Sequence, residues 1–336
     1  MFFKLIQLQE KLKEKSLRLT SSFEKEYGSL VERVNQAEAK AEKRGEVIPG
    51  PEILNREGGD STTVNNPLLS AVHFSNYLAV ARIVKSLVEK QSHLTKIRIL
   101  GVGEGAGVFA SFLTSTLKPK VYLATDYQDW LVNYGRVVLG GGPLRFAQVD
   151  ATTMKSIKDN SFDVVVACEF IEHIPTKKLV TFLKESRRVL KKRGVVIATT
   201  PNKGCHPGEI YSGYPHHETE FTAKELDSLI ETHLIRDFGK HAVFFLVNKK
   251  ICQEKRRRLP LELVVNHIFA LFLKLFPKGS RREIILDKVL TSLFKKMRKD
   301  VKRKKLTFPQ EYSQTKLAYH PVNAKEAFGL CLVLQV

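Results

Sequence analysis

Between Ile97 and Thr200 short apolar runs alternate with amphipathic ones, and that alternation limits the fold more than any other feature of the chain. The strand-like runs are "IRILG" (97–101), "KVYLAT" (120–125), "LRFAQV" (144–149), "FDVVVAC" (162–168) and "GVVIATT" (194–200). Helical text lies between several of them, including "VFASFLTSTL" and "KKLVTFLKESRRVLKK". Strands that alternate with helices build βαβ units and a parallel sheet, with helices on both faces. Further on, "TAKELDSLIETH" (222–233) reads as a short helix, "IRDFGKHAVFFLV" (235–247) as a strand and "AFGLCLVLQV" (327–336) as a last strand. The expectation is a mostly parallel α/β sheet of seven strands. In such sheets ligands sit at the carboxyl ends of the strands.

Two segments stand outside the alternation. Residues 1–44 read as helix, with Leu5, Leu8, Leu12 and Leu19 on one apolar seam and Phe23, Tyr27, Leu30, Val34, Ala37 and Ala41 on a second, offset seam. A homodimer through these residues is one reading. An amphipathic extension docked on its own domain is the preferred one, because the register breaks and Gly28-Ser29 interrupts the second seam. Residues 44–67 are rich in Gly, Pro and Asn and read as a linker or ordered loop. The chain thus divides into an N-terminal helix and linker (1–66), a core (67–248), a basic helical insertion (249–320) and the final core strand (321–336).

The chemistry-bearing residues gather at the expected strand ends. "ILGVGEGAGVFASFL" puts Gly101, Gly103, Gly105 and Gly107 between a strand and a helix. Glycines there let the backbone approach a ligand, and the helix N-terminus favours a negative group. Asp126 ends the second strand, where a carboxylate can bind ribose hydroxyls, and Asp150 ends the third. Each aspartate alone would serve as a turn or cap residue. Directly after the fourth strand comes "CEFIEHIP" (168–175). Its bland reading is helix-start chemistry, with carboxylates near a dipole and Pro175 in a first turn. Its sharper reading is a metal site, because Glu169 and Glu172, at i and i+3, can face one way with His173 beside them. Mixed carboxylate and imidazole ligands suit Mg²⁺, Mn²⁺ or another divalent ion.

The run from Ile97 to Asn202 resembles the class I S-adenosylmethionine-dependent methyltransferases, a resemblance that implies a Rossmann-like seven-stranded sheet. "GVGEGAG" is similar to the family's glycine motif, "SFDVVVACEFIEHIP…LVTFLKESRRVLKKRGVVIATTPN" to its fourth- and fifth-strand segments, and "HHETEFTAKELDSLI" to a later one. The resemblance implies that Gly101, Gly103 and Gly105 line the methionine end of S-adenosylmethionine and that Asp126, with Tyr127 beside it, holds the ribose. It also implies that Asp150 with Ala151 flanks the adenine and that Glu169 closes the pocket. The family usually carries an acidic residue where this chain has Gly101. The E-x-x-E-H run with a later histidine resembles two metal-assisted O-methyltransferase groups, the ubiquinone-biosynthesis type and the small-RNA 2′-hydroxyl type. On that resemblance Glu169, Glu172, His173 and His217 would hold the ion, and His173 or His216 would take the proton of the acceptor hydroxyl. A mechanism with His173 as base and no ion stays open.

Composition bears on partners. The 336 residues carry a net charge of +20, which argues for an anionic partner. Residues 249–305 hold nineteen Lys and Arg against five Asp and Glu, a net +14, interleaved with apolar text such as "LELVVNHIFALFLKLF". That stretch is too short to span a bilayer, which takes ~20 apolar residues. A solvated lid, an anionic membrane surface and RNA are the three readings. Aliphatics outnumber aromatics that could stack bases, which favours lid and membrane over RNA. Cys168, Cys205, Cys252 and Cys331 form no C-x-x-C pair and fit a reducing compartment. With no signal-peptide pattern at the N-terminus, the expectation is a cytoplasmic protein, peripheral at the inner face of a membrane. It would O-methylate a small-molecule, glycan or lipid-linked hydroxyl. RNA methylation is the alternative, and a non-catalytic binding protein on the same fold is a third reading.

Overall fold

The structure is a computed structural model that describes residues 5–14, 17–19, 23–46, 67–88, 91–206, 208, 217–257, 259–260, 310–319 and 324–336. His216 and most of the basic insertion, residues 261–309, lie outside the described residues.

Among the described residues, nine strands form one sheet. In chain order they are β1 (Leu17–Arg18), β2 (Arg98–Val102), β3 (Val121–Asp126), β4 (Leu144–Gln148), β5 (Phe162–Cys168), β6 (Leu190–Pro201), β7 (Lys240–Val247), β8 (Lys316–Ala318) and β9 (Ala327–Gln335). Across the sheet they run β1-β8-β7-β9-β6-β5-β2-β3-β4. Strands β4, β3, β2, β5 and β6 are parallel, and β9 is antiparallel to both β6 and β7. The sheet therefore exceeds the expected seven strands by two. The added β1 and β8 hold two and three residues and extend one edge beyond β7. Segments that short carry no readable alternation.

The strands read as near-continuous apolar runs because both faces of the sheet are covered. Alternate residues sort to opposite sides, as the two-residue side-chain period requires. Ile99, Val164, Val166, Val195 and Ile197 join one core, and Leu100, Val102, Val165, Val196 and Ala198 join the other. The first core is closed by helices α1 (Leu5–Glu14), α2 (Phe23–Lys43), α3 (Pro67–Leu87) and α4 (Val108–Leu117). Helix α5 (Asp129–Val138) packs on α2, β3 and β4. The second core is closed by α6 (Thr176–Val189) and α7 (Ala223–His233). A further helix, α8, covers 249–257.

The N-terminal seam is buried within the chain itself: Leu5, Leu8, Leu12, Leu19, Tyr27, Leu30 and Val34 all belong to the first core. Polar contacts fix the extension as well. Gln9 Nε2 donates to the Tyr319 hydroxyl at 3.1 Å, Arg82 donates twice to the Leu19 carbonyl, and the Tyr134 hydroxyl donates to the Glu38 carboxylate. No helix among the described residues is long and apolar enough to cross a membrane.

Strand order reverses at β2, which lies between β3 and β5. The β2–α4 turn and the residues after β5 therefore face each other across a crevice at the carboxyl end of the sheet.

Candidate active site

The glycine turn is built by backbone demands. Gly103 and Gly105 hold φ of 66° and 54°, a region open to glycine. A Cβ at Gly103 would lie 2.3 Å from the Phe170 ring, so only glycine lets the turn approach the residues after β5 this closely. Asp126, the last residue of β3, accepts from the Gly105 N–H at 2.9 Å through Oδ2 and from the Gln128 N–H at 2.9 Å through Oδ1. A carboxylate has about four lone-pair sites, so both oxygens retain acceptor capacity toward a diol. Tyr127, next along, is 73% exposed. Asp150 lies just past β4, and its Oδ1 takes both the N–H and the hydroxyl of Thr152, at 2.8 and 2.7 Å. Those bonds, with the charges of Lys178 and Lys155, hold its carboxyl below the ordinary range. Asp150 is thus itself a turn residue, with half-buried Ala151 beside it.

Gly101 lies within β2, and the space above its Cα is taken. A Cβ there would sit 1.9 Å from Glu104 Oε1 and 2.7 Å from Tyr122 Cε1. The Glu104 side chain curls back over Gly101, is 7% exposed, and accepts from the Tyr122 hydroxyl at 2.5 Å. Tyr122 is fully buried; burial and the Glu104 charge together push its phenol well above the usual range. A carboxylate thus stands beside Gly101 after all, delivered from three residues further along.

Past β5 the chain makes a tight turn. Glu169 has φ 51°, a left-handed conformation that costs a non-glycine residue about 1 kcal/mol or more. Its N–H is held by the Thr199 carbonyl at 3.1 Å. Glu169 is half-buried, with Oε1 sealed from solvent and without a hydrogen-bond partner. Burial raises its carboxyl to about 7, Lys255 and the Thr199 hydroxyl oppose the rise, and Glu220 adds to it. A 3-10 turn, Ile171–His173, follows. Glu172 is 1% exposed, and neither of its carboxyl oxygens has a hydrogen-bond partner. Burial, then the charges of Glu169 and Glu220, push this carboxyl well above its ordinary value.

The segment 217–222 closes over this turn. The N–H groups of Glu218 and Thr219 donate to the Glu172 carbonyl at 2.7 and 3.2 Å, and the Lys203 N–H donates to the Phe221 carbonyl at 2.9 Å. Thr222 then caps α7 in a reciprocal box with Glu225. These bonds bring His217 to His173, with ring centroids 5.0 Å apart and planes at 77°. Glu172, His173 and His217 each offer a ligand atom within 4.8 Å of the others. The structure thus assembles three of the four residues that the sequence suggested for a metal. Glu169 is not one of the group, because it sits one turn earlier in its left-handed conformation.

Two residues of the site escape a reading of motifs. Glu220 is 4% exposed, and its Oε1 lies 2.8 Å from His217 Nδ1. Lys255, on α8, brings a cation of the basic insertion close enough to act on Glu169 and His206. The i,i+3 spacing of His217 and Glu220 was the available signal for the first. The second had none, because it depends on where α8 packs.

Residues 100–198 match the family described as "Methyltransferase domain". A probable S-adenosylmethionine-dependent methyltransferase of Mycolicibacterium smegmatis is 31% identical over 139 residues, covering 40% of this chain and 50% of the relative. The ubiquinone biosynthesis O-methyltransferase of Rickettsia prowazekii is 25% identical over 132 residues, covering 39% of this chain and 51% of the relative. This chain therefore spans about half the length of the curated relatives it matches. A solved Thermotoga maritima protein, described as a possible histamine N-methyltransferase, overlays 79% of this chain and 90% of its own at 17% identity and a TM-score of 0.45. With the strand order, the glycine turn and the family match in hand, residues 100–198 belong to the class I S-adenosylmethionine-dependent methyltransferases.

Proposed function

We propose that the protein transfers a methyl group from S-adenosylmethionine to a hydroxyl of a small-molecule, glycan or lipid-linked acceptor, with help from a divalent ion such as Mg²⁺ or Mn²⁺. The observation that carries this reading is the convergence of Glu172, His173 and His217 within 4.8 Å, one turn past β5 and across the crevice from the glycine turn. The donor set fits a cation: a sealed carboxylate with two oxygens lacking partners, beside two imidazoles. Burying such a carboxylate without compensation costs several kcal/mol, so the arrangement favours a ligand that supplies positive charge.

S-adenosylmethionine supplies an electrophilic methyl group, and this chain's residues orient it. Gly103 and Gly105 give the backbone room at its methionine end, Asp126, with Tyr127 beside it, accepts from the ribose, and Asp150 with Ala151 borders the adenine. Glu169 stands between cofactor and acceptor. A divalent ion held by Glu172, His173 and His217 would lower the pKa of a bound hydroxyl. His173 is also placed to receive the hydroxyl proton directly if no ion takes part, and His216 is the other imidazole assigned that role. Alignment of sulfonium, methyl and oxygen is the main contribution asked of the protein.

The test is transfer of labelled methyl from S-adenosylmethionine into fractionated cell extract, with and without EDTA. Label in the organic or glycan fraction, lost with EDTA and with Glu172→Gln, supports the proposal. Nuclease-sensitive label overturns the acceptor class, and an EDTA-insensitive rate overturns the ion.

A further inference from the structure

His217 offers two ring nitrogens, and Glu220 is bound to one of them. The carboxylate Oε1 lies 2.8 Å from Nδ1, with side-chain exposures of 2% for Glu220 and 12% for His217. A carboxylate accepts and does not donate, so the hydrogen belongs to Nδ1. Nε2 is then the nitrogen whose lone pair points away from Glu220. From this geometry we infer that Glu220 is a positioning residue that fixes the tautomer and ring orientation of His217 toward a divalent cation.

The simplest competing account is a local i,i+3 ion pair that stabilises the start of α7. Two considerations weigh against it. A buried pair gains little stability, because desolvation of the carboxylate offsets most of the attraction, and an apolar pair would serve the fold as well. The pair also sits in the segment whose N–H groups hold the Glu172 carbonyl, so His217 and Glu172 are carried by one hydrogen-bonded unit. A carboxylate held on Nδ1 makes sense where a cation meets Nε2 and the ring must be aimed at it, since ring orientation by an outer carboxylate is worth ~10–100-fold in metal affinity.

This inference rests on the proposed ion site, and the experiment separates the two. Mn²⁺ binding to the full chain is measured by electron paramagnetic resonance for the unaltered protein, Glu220→Ala, Glu220→Gln and His217→Ala, with thermal melts of each. The expected result is affinity ~10–100-fold weaker in Glu220→Ala, with a smaller loss in Glu220→Gln, whose amide oxygen can still accept from Nδ1. His217→Ala should be at least as weak as Glu220→Ala. An unaltered protein that binds Mn²⁺ and a folded Glu220→Gln and Glu220→Ala pair that bind it equally well would overturn the role of Glu220 and leave the ion site standing. No Mn²⁺ binding by the unaltered protein overturns both. If Glu220→Ala does not fold, Glu220→Gln decides: a lowered melting temperature with unchanged affinity rejects the inference.

Discussion

At the scale of the residue, Glu104 and Gly101 are two halves of one arrangement. The carboxylate occupies the volume that any side chain at 101 would need, and the Tyr122 hydroxyl holds it there. Gly101→Asp should therefore clash with Glu104 and Tyr122 and cost about 1–3 kcal/mol, the usual range for overpacking. The double variant Gly101→Asp with Glu104→Gly should recover much of that loss, because the new carboxylate enters the vacated space. Melting temperature and S-adenosylhomocysteine affinity of the singles and the double check this, and purely additive effects would refute the coupling. The glycine motif, Asp126 and the E-x-x-E-H run were legible because each is local in sequence and sits at a strand end. Glu104 is close to Gly101 in the sequence but does not stand at the family's acidic position, and its place over Gly101 was not legible, because it depends on a turn that bends its side chain back over the preceding strand. Glu220 was missed for a related reason: its importance appears only when segment 217–222 lies against Glu172.

At the scale of the element, the turn after β6 is tied to α8 around a buried histidine. The 3-10 turn Lys203–Cys205 leads to His206, and Arg256 of α8 binds the Cys205 carbonyl at 2.8 Å and the Lys325 carbonyl. His206 is 3% exposed, with a buried Nδ1 that has no partner. Burial first, then Lys255 and Arg256, lower its pKa to about 4. The folded chain thus keeps His206 neutral where the unfolded chain would protonate it, near 6.5. Stability from this residue is whole above pH 6.5 and is lost as the pH falls toward 4, a change on the order of 3 kcal/mol. Denaturant titrations at pH 7 and pH 4.5 should show that slope, and His206→Gln should flatten it. An unchanged slope in the variant would place the acid sensitivity elsewhere. Strands β2 to β5 were readable in the sequence to within a residue, since each combines an apolar run with a clear turn, whereas β6 begins at Leu190, four residues before the expected start, in text that reads as the end of a helix. β1 and β8 were not, because they exist only as additions to an edge that β7 provides.

At the scale of the whole molecule, charge and fold are separable. The core carries the site, whereas most of the +20 lies in residues 249–305, of which only α8 and its two following described residues are placed. If the acceptor is lipid-linked, these lysines and arginines serve as the docking surface, each worth about 1 kcal/mol at an anionic membrane. The protein should then pellet with phosphatidylserine vesicles at low salt and release as salt rises. Neutral vesicles should not hold it, and equal binding to both would remove the electrostatic part of this picture.

Strand β9 has all nine residues buried and lies between β6 and β7. It follows β6 in the chain by more than a hundred residues, with β7, α8 and the basic insertion synthesised in between. On a ribosome adding ~5–20 residues each second, a nascent chain waits several seconds or longer with β6 exposed and its final neighbour not yet made. Asn202, which donates to the Ala327 and Phe328 carbonyls, waits as well, and with it the turn that leads to His206. The newborn protein thus passes through an interval with an open apolar slot in its sheet.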